Sequence, residues 1–290
     1  MATVIPVVDR PAVPNVRVRP GRSQRGIHIA LIAIVTVGLL PYLFVLSTSL
    51  KTNEQFAKDY WLPSFPLHIE NYGRAWTQIQ PYMAVSLLVA ALSIVGIVLV
   101  SLLAGFVLAR FEFPGRRFFF TMVIVLMMVP NIASLIPLFV MMKDLGLLNT
   151  LWVLVIPRIA AGAVLGTILM KTFIEGIPQE IFDAARVDGA GTSRLFRSIM
   201  MPLSLPVIGT VSLITVIGVW NDFFWPLLTV TKNELKTVSV GLIFFQGQSG
   251  TDFGPMFAGY LLASLPLLLL FTFMSKYFLA GIQGGLPGSH

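Results

Sequence analysis

Three stretches of the sequence hold residue types that could act on a ligand or a partner. Arg158 interrupts an otherwise uncharged apolar run, directly after Pro157. A guanidinium in such a run either faces an aqueous cavity, where it can bind hydroxyls or a carboxylate, or snorkels to the polar edge. Trp220-Asn221-Asp222-Phe223 sets aromatic faces, which stack on sugar rings, beside an amide and a carboxylate that bond hydroxyls. Its other reading is an interfacial aromatic belt broken at Pro226. The third stretch runs from Glu175 to Pro202 and is charged, glycine-bearing and amphipathic.

None of these is equipped for covalent catalysis. The chain has no cysteine, which removes thiol chemistry, Cys-ligated zinc and a lipid-anchored N-terminal cysteine. His28, His68 and His290 are far apart, and no spacing suggests a metal site or a nucleophile–base pair. No Gly-x-x-x-x-Gly-Lys-Ser/Thr loop is present to cradle nucleotide phosphates. If ATP drives this protein, it is hydrolysed on another chain.

The elements that must position these residues follow from composition. Among 290 residues, 56 % are hydrophobic and 11 % charged, against about 25 % charged in a soluble domain. Those proportions exclude both a water-soluble globule and a disordered chain. The expected fold is an all-α membrane protein with six transmembrane helices. A span needs about 20 predominantly apolar residues. Ile27–Leu50, Met83–Ala109, Phe118–Met142, Ser198–Asn221 and Phe253–Ser275 qualify, and Leu151–Met170 qualifies with Arg158 inside it. Residues 1–26 read as a polar tail, 27–280 as the membrane domain and 281–290 as a second tail. Ile27–Leu50 is too long for a signal-peptide core and reads as a retained span.

Positive residues orient the bundle. Arg10, Arg17, Arg19, Arg22, Arg25, Arg110, Arg116, Arg117, Lys171, Arg186, Arg194, Arg197 and Lys276 fall on one side. Lys51, Lys58, Arg74, Lys143, Lys232 and Lys236 fall on the other. The richer side, with both termini and the 175–202 segment, is expected to be cytoplasmic. The net charge of +7 is thus read as membrane topology and not as nucleic-acid binding. Tyr60-Trp61 suits an outer interfacial anchor, and Pro41, Pro130, Pro137, Pro157, Pro206 and Pro266 predict bent spans.

Within the 175–202 segment, Pro178-Gln179-Glu180 suits a helix start, and Ile181, Ala184, Ala185 and Val187 form a stripe. Gly189 and Gly191 permit a sharp turn, and Thr192 or Ser193 could cap a second helix carrying Leu195, Phe196 and Ile199. A solvated connector would leave Phe182, Leu195 and Phe196 without apolar partners, so docking to a partner protein is the expectation.

These residues carry a resemblance. Asp183-Ala184-Ala185, then Asp188-Gly189-Ala190, then Phe196, Ile199 and Pro202, resemble the Glu-Ala-Ala loop of binding-protein-dependent ABC importer permeases. Ala109-Arg110-Phe111-Glu112-Phe113-Pro114-Gly115-Arg116, Glu70-Asn71-Tyr72, Ile136-Pro137-Leu138, Gly146-Leu147-Leu148-Asn149-Thr150, Trp220-Asn221-Asp222-Phe223 and Leu265-Pro266 are similar to the carbohydrate, maltose-type branch. The match runs from about Leu46 to Gly285, with Asp183 where the family prefers glutamate, Val85-Ser86 where the branch often has Asn-Ser, and a divergent tail from Gly281. The resemblance implies a type I ABC importer permease fold in a bacterial or archaeal cytoplasmic (inner) membrane. It implies a complex with a second homologous permease, two ATP-binding subunits and a periplasmic or extracellular solute-binding protein. ATP and Mg would sit on the partner ATPases, with no cofactor on this chain. The 175–202 segment would be the coupling loop. Phe245, Gln246, Gly247 and Gln248 would lie in an outer loop entering the binding protein's sugar cleft, although a mobile surface loop fits them equally. Arg158, Trp220, Asn221 and Asp222 would line the substrate pathway. The competing readings are an ion-coupled secondary transporter, which the uncharged spans do not favour, and a membrane scaffold.

Overall fold

The computed structural model describes residues 23–249 and 252–283, and every regular element among them is helical. The outermost parts of both expected tails, 1–22 and 284–290, lie outside the described residues. The helices are α1 (Ser23–Ser49), α2 (Asn53–Lys58), α3 (Glu70–Arg110), α4 (Arg116–Met127), α5 (Asn131–Asp144) and α6 (Leu151–Glu175). The chain continues with α7 (Gln179–Val187), α8 (Thr192–Leu195), a π-helical turn (Phe196–Met200), α9 (Met201–Leu203) and α10 (Leu205–Asn221). It ends with α11 (Phe224–Thr229), a 3-10 turn (Asn233–Leu235), α12 (Val238–Ser249) and α13 (Phe253–Gln283).

Among the described residues, four helices are long and apolar enough to cross a membrane, or up to six if each of two bent pairs is one span. Both breaks have local causes. The run Phe118–Met142, expected to be one span, divides between α4 and α5, because Pro130 lacks an N–H and holds its preceding residue away from the α region. The α8–α9 stretch turns by 68° into α10 at Ser204, where Pro202 and Pro206 each withdraw one backbone donor. The π-helical turn sits directly before Pro202 and closes with Met201 N–H on Phe196 O, the wider winding that a missing i→i−4 bond accommodates. By contrast α3 begins at Glu70, well before the expected Met83, and passes through Pro81 unbroken.

The chain divides into two units, residues 1–44 and 45–290. In the first, the described segment 23–44 of α1 exposes apolar side chains, with Ile29 and Ile34 each 69 % accessible, as a lipid-facing helix requires. In the second, α3 packs most extensively on α6 and also meets α10, α12 and α13. The α3–α6 seam is close because of glycine: a Cβ at Gly105 would stand 2.7 Å from Met170 Cβ. One apolar core, with Val89, Val153, Val155, Val219 and Trp225, joins α3, α6, α10 and α11. A second, with Phe106, Met170, Ile174, Phe182, Leu195, Met200 and Val211, reaches from α3 and α6 into the 175–202 segment.

Phe245, Gln246, Gly247 and Gln248, expected in an outer loop, fall instead in a helix: the backbone is helical from Val238 to Ser249. Val238 and Val240 are buried, and Ser86 Oγ on α3 accepts from Val238 N–H at 2.8 Å. Gly241 lets α12 approach the Tyr82 side chain more closely than any Cβ would allow.

Candidate coupling site and substrate pathway

The 175–202 segment forms two short helices joined at a glycine corner. Pro178 is the N-cap of α7, where its missing donor costs nothing. At the other end Gly189 takes φ +78°, and its N–H bonds Arg186 O at 3.0 Å while Ala190 N–H bonds Ala185 O at 2.9 Å. That pair of bonds is a Schellman closure, with Gly189 in the left-handed position and Ala185 and Ala190 in apolar contact with the second core. The expected cap on the next helix is not formed. Gly191 occupies the N-cap of α8, and neither Thr192 nor Ser193 caps it through its side chain.

The burial pattern corrects one expectation. Phe182 is 1 % accessible and Leu195 4 %, both within the second core of their own chain. Phe196 meets Phe106 edge-to-face, their centroids 5.5 Å apart. These residues therefore need no outside partner. The surface that α7 leaves free is the opposite face, where Ile181 is 41 % and Val187 88 % accessible, with Ala184, Asp188 and Gly189 also exposed. Among the described residues, nothing beyond the two adjoining ones lies within 4 Å of a Cβ built on Gly189. Asp183 is satisfied locally, its Oδ1 accepting from Gln179 Nε2 and from Arg186 Nη1 at 3.0 Å each. Pro202 is exposed at the start of α9.

Arg110, counted above as a positive residue and as part of the Ala109–Arg116 motif but given no role, fastens α7 to the bundle. From the last turn of α3 its Nη2 donates to Ile174 O and Ile177 O at 2.5 Å each, and its Nη1 donates to Gln179 Oε1 at 2.8 Å. Its guanidinium carbon lies 4.2 Å from the centre of the Phe182 ring. The signal was present in the Ala109–Arg116 motif, but its acceptors lie at the end of α6 and the start of α7 and cannot be seen locally.

Toward the other end of the bundle, Arg158 on α6 forms an ion pair with Asp222, the residue that caps the C-terminus of α10. Arg158 Nη2 also donates to Gly218 O at 3.3 Å, and Asp222 Oδ1 accepts from Trp225 N–H at 3.4 Å. Both side chains keep about a quarter of their surface, 26 % and 24 %. The space beside them measures only about 10 Å³ and is shared with Val89, Trp225 and Thr237. It holds a water at most, not a sugar ring. Trp220 is buried and donates its indole N–H to Ala263 O at 3.0 Å, so it belongs to the packing against α13. Asn221 is exposed and bonds Ile217 O. Of the four pathway candidates, the structure joins Arg158 and Asp222 and leaves Trp220 and Asn221 apart from them. Phe245, Gln246, Gly247 and Gln248 lie on the C-terminal part of α12.

Residues 98–283 match the family model described as the binding-protein-dependent transport system inner membrane component. The chain belongs to this family. It is 32 % identical to the probable ABC transporter permease protein YurM of Bacillus subtilis (strain 168), across 84 % of this chain and 82 % of that one. It is 28 % identical to the melibiose/raffinose/stachyose import permease protein MelC of the same organism, across 91 % and 96 %. Its fold matches a chain in the crystal structure of a bacterial ABC transporter involved in the import of the acidic polysaccharide alginate. The TM-score there is 0.75 at 22 % identity, covering 89 % of this chain and 98 % of the other. Four to six spans in the fold of an ABC importer permease are thus the architecture of this inner membrane permease.

For the permease, the Arg158–Asp222 pair supplies a test of packing against ligand binding. Exposed pairs contribute about 0.5 kcal/mol, while breaking a fully buried one costs about 4 kcal/mol. At a quarter exposure, Arg158→Met or Asp222→Leu alone should cost an intermediate amount, seen as a lower detergent-solubilised melting temperature. The Arg158→Met/Asp222→Leu double variant should recover most of that loss. A double variant no more stable than the worse single would show that the two side chains are not coupled.

Proposed function

We propose that this permease is the transmembrane subunit of an ATP-driven, binding-protein-dependent importer of carbohydrate, working by alternating access. Its complex would contain a second homologous permease, two ATP-binding subunits and an external solute-binding protein. ATP and Mg act on the partner ATPases, and no covalent step occurs on this chain. The observation that carries the reading is α7: one face is locked into the bundle through Phe182 and Arg110, and the other is free for a partner. A force on the free face reaches α3 and α6 directly through those contacts. The carbohydrate class draws support from relatives described as arabinooligosaccharide and melibiose/raffinose/stachyose permeases. Phe245 to Gln248, on the last turns of α12, are proposed to meet the binding protein. Arg158 and Asp222 are proposed to border the substrate pathway as a paired gate.

The orientation follows the positive residues, with α7 and both termini cytoplasmic. Because the chain has no cysteine, single introduced cysteines report topology without background. Arg194→Cys should be shielded from an impermeant thiol reagent in intact cells, and Lys232→Cys should react. Gentle purification should yield the chain with an ATP-binding subunit and a second permease, in a complex whose ATPase responds to the loaded binding protein. A chain recovered alone or as a homodimer in repeated preparations would overturn the importer reading.

A further inference from the structure

Between the end of α3 and the start of α4, beside the last turns of α6, lies an open groove of about 520 Å³. Arg116, Arg117, Lys171, Glu112, Phe113 and Phe120 line it. Arg116 and Lys171 share one carboxylate: their nitrogens lie 3.2 and 2.7 Å from Glu175 Oε1. The Lys171 ammonium also lies 4.1 Å from the centre of the Phe120 ring. Arg117 is exposed, and its guanidinium has no hydrogen bond or ion pair among the described residues. Arg116, Arg117 and Lys171 therefore face Glu112 and Glu175, leaving a surplus of one positive charge.

We propose that this groove binds the headgroup of an anionic phospholipid, with the Arg117 and Arg116 guanidinium groups grasping its phosphodiester. The single surplus cation matches the net single charge of a lipid such as phosphatidylglycerol, which the choline ammonium cancels in phosphatidylcholine, and the planar guanidinium fork matches the phosphodiester oxygens. The depth is right as well. The groove lies where the apolar run of α3 has ended and that of α4 begins. Directly beyond it, Phe118 and Phe119 of α4 are 60 % and 55 % accessible, a surface for acyl chains that a soluble anion would leave uncovered. Basic hollows between membrane helices at the cytoplasmic level are suited to such headgroups. Glu175, which receives Arg116 and Lys171, directly precedes Gly176 and the path to α7, so the headgroup site adjoins the base of the coupling segment.

Only the choice of leaflet rests on the orientation proposed above. The test is native mass spectrometry of the full chain, with or without co-purified ATPase subunits, after incubation with phosphatidylglycerol or phosphatidylcholine. Retention of phosphatidylglycerol should exceed that of phosphatidylcholine about tenfold, as one charged hydrogen-bonded contact implies. Arg117→Gln should remove that preference, Arg117→Lys should restore part of it, and Lys143→Gln, outside the groove, should leave it intact. Equal retention of the two lipids, an unchanged preference in Arg117→Gln, or displacement of the lipid by inorganic phosphate at equal concentration would overturn the proposal. Thiol labelling of Arg117→Cys separates this from topology. Lipid preference with labelling from outside would sink the orientation and keep the groove, while shielding from outside without lipid preference would do the reverse.

Discussion

Replacing Gly189 with valine should abolish uptake, lowering it at least about tenfold, while the protein still inserts in the membrane. Gly189 sits at φ +78°, and a β-branched residue there costs about 1–2 kcal/mol in the left-handed region. That strain falls on one turn, at the exposed end of α7, and leaves both apolar cores untouched. A Cβ added there has open space among the described residues, so a steric effect points to a partner seated on the turn. Gly189→Asn separates the two causes, since asparagine tolerates the left-handed conformation but is larger than glycine. Uptake preserved in Gly189→Asn and lost in Gly189→Val would assign the effect to backbone geometry; loss in both would assign it to close docking. Normal uptake by Gly189→Val would remove α7 from the coupling path.

Arg110→Met should separate ATP hydrolysis from transport. The native guanidinium satisfies Ile174 O in the last turn of α6 and Ile177 O just beyond it, and holds Gln179 at the start of α7. It also places a positive charge at the negative end of the α6 dipole. Methionine keeps apolar contact with Phe182 but donates nothing, and loss of these charged hydrogen bonds costs about 2–3 kcal/mol locally. Hydrogen exchange of the α7 amides should accelerate about tenfold or more. Uptake should fall by a similar factor, while ATP hydrolysis in the complex persists. Arg110→Lys should rescue only in part, because one ammonium cannot span three acceptors in the guanidinium's fixed plane. Unchanged exchange in α7 would show that Phe182 alone fastens it.

The spans were legible because length and hydrophobicity decide them, and the corner because Gly189 and Gly191 stand between two apolar stripes. Where each proline would matter was not. Pro130 stands in the break between α4 and α5, at the N-cap of α5, while Pro137, only seven residues on, lies inside α5, and hydropathy does not distinguish them. The early start of α3 was hidden by Glu70, Arg74 and Gln80, polar residues that tertiary contacts settle into a helix: Asn71 Nδ2 bridges Ser49 O and Lys51 O at 3.0 Å each. Asn149 shows the same limit. It stood in a quoted motif without a role, yet at φ +59° its Oδ1 accepts from Thr231 N–H at 2.6 Å and ties the α5–α6 turn to the end of α11. Arg158 and Asp222 were singled out separately, and only the crossing of α6 and α10 makes them a pair. Phe182 misled for the same reason, since its apolar neighbours are distant in sequence.

The two faces of α7 share almost no residues. Phe182 and Ala185 hold it to the bundle, and Ile181, Ala184 and Val187 look outward. Mutations on the outward set can therefore accumulate without a folding penalty, and mutations on the inward set can retune rigidity without altering what docks. On the coupling role proposed for this face, a lineage could change which ATPase it engages by drift in three side chains, keeping its internal linkage throughout. For engineering, transplanting those three positions between relatives is the smallest exchange that should re-pair a permease with a foreign ATPase.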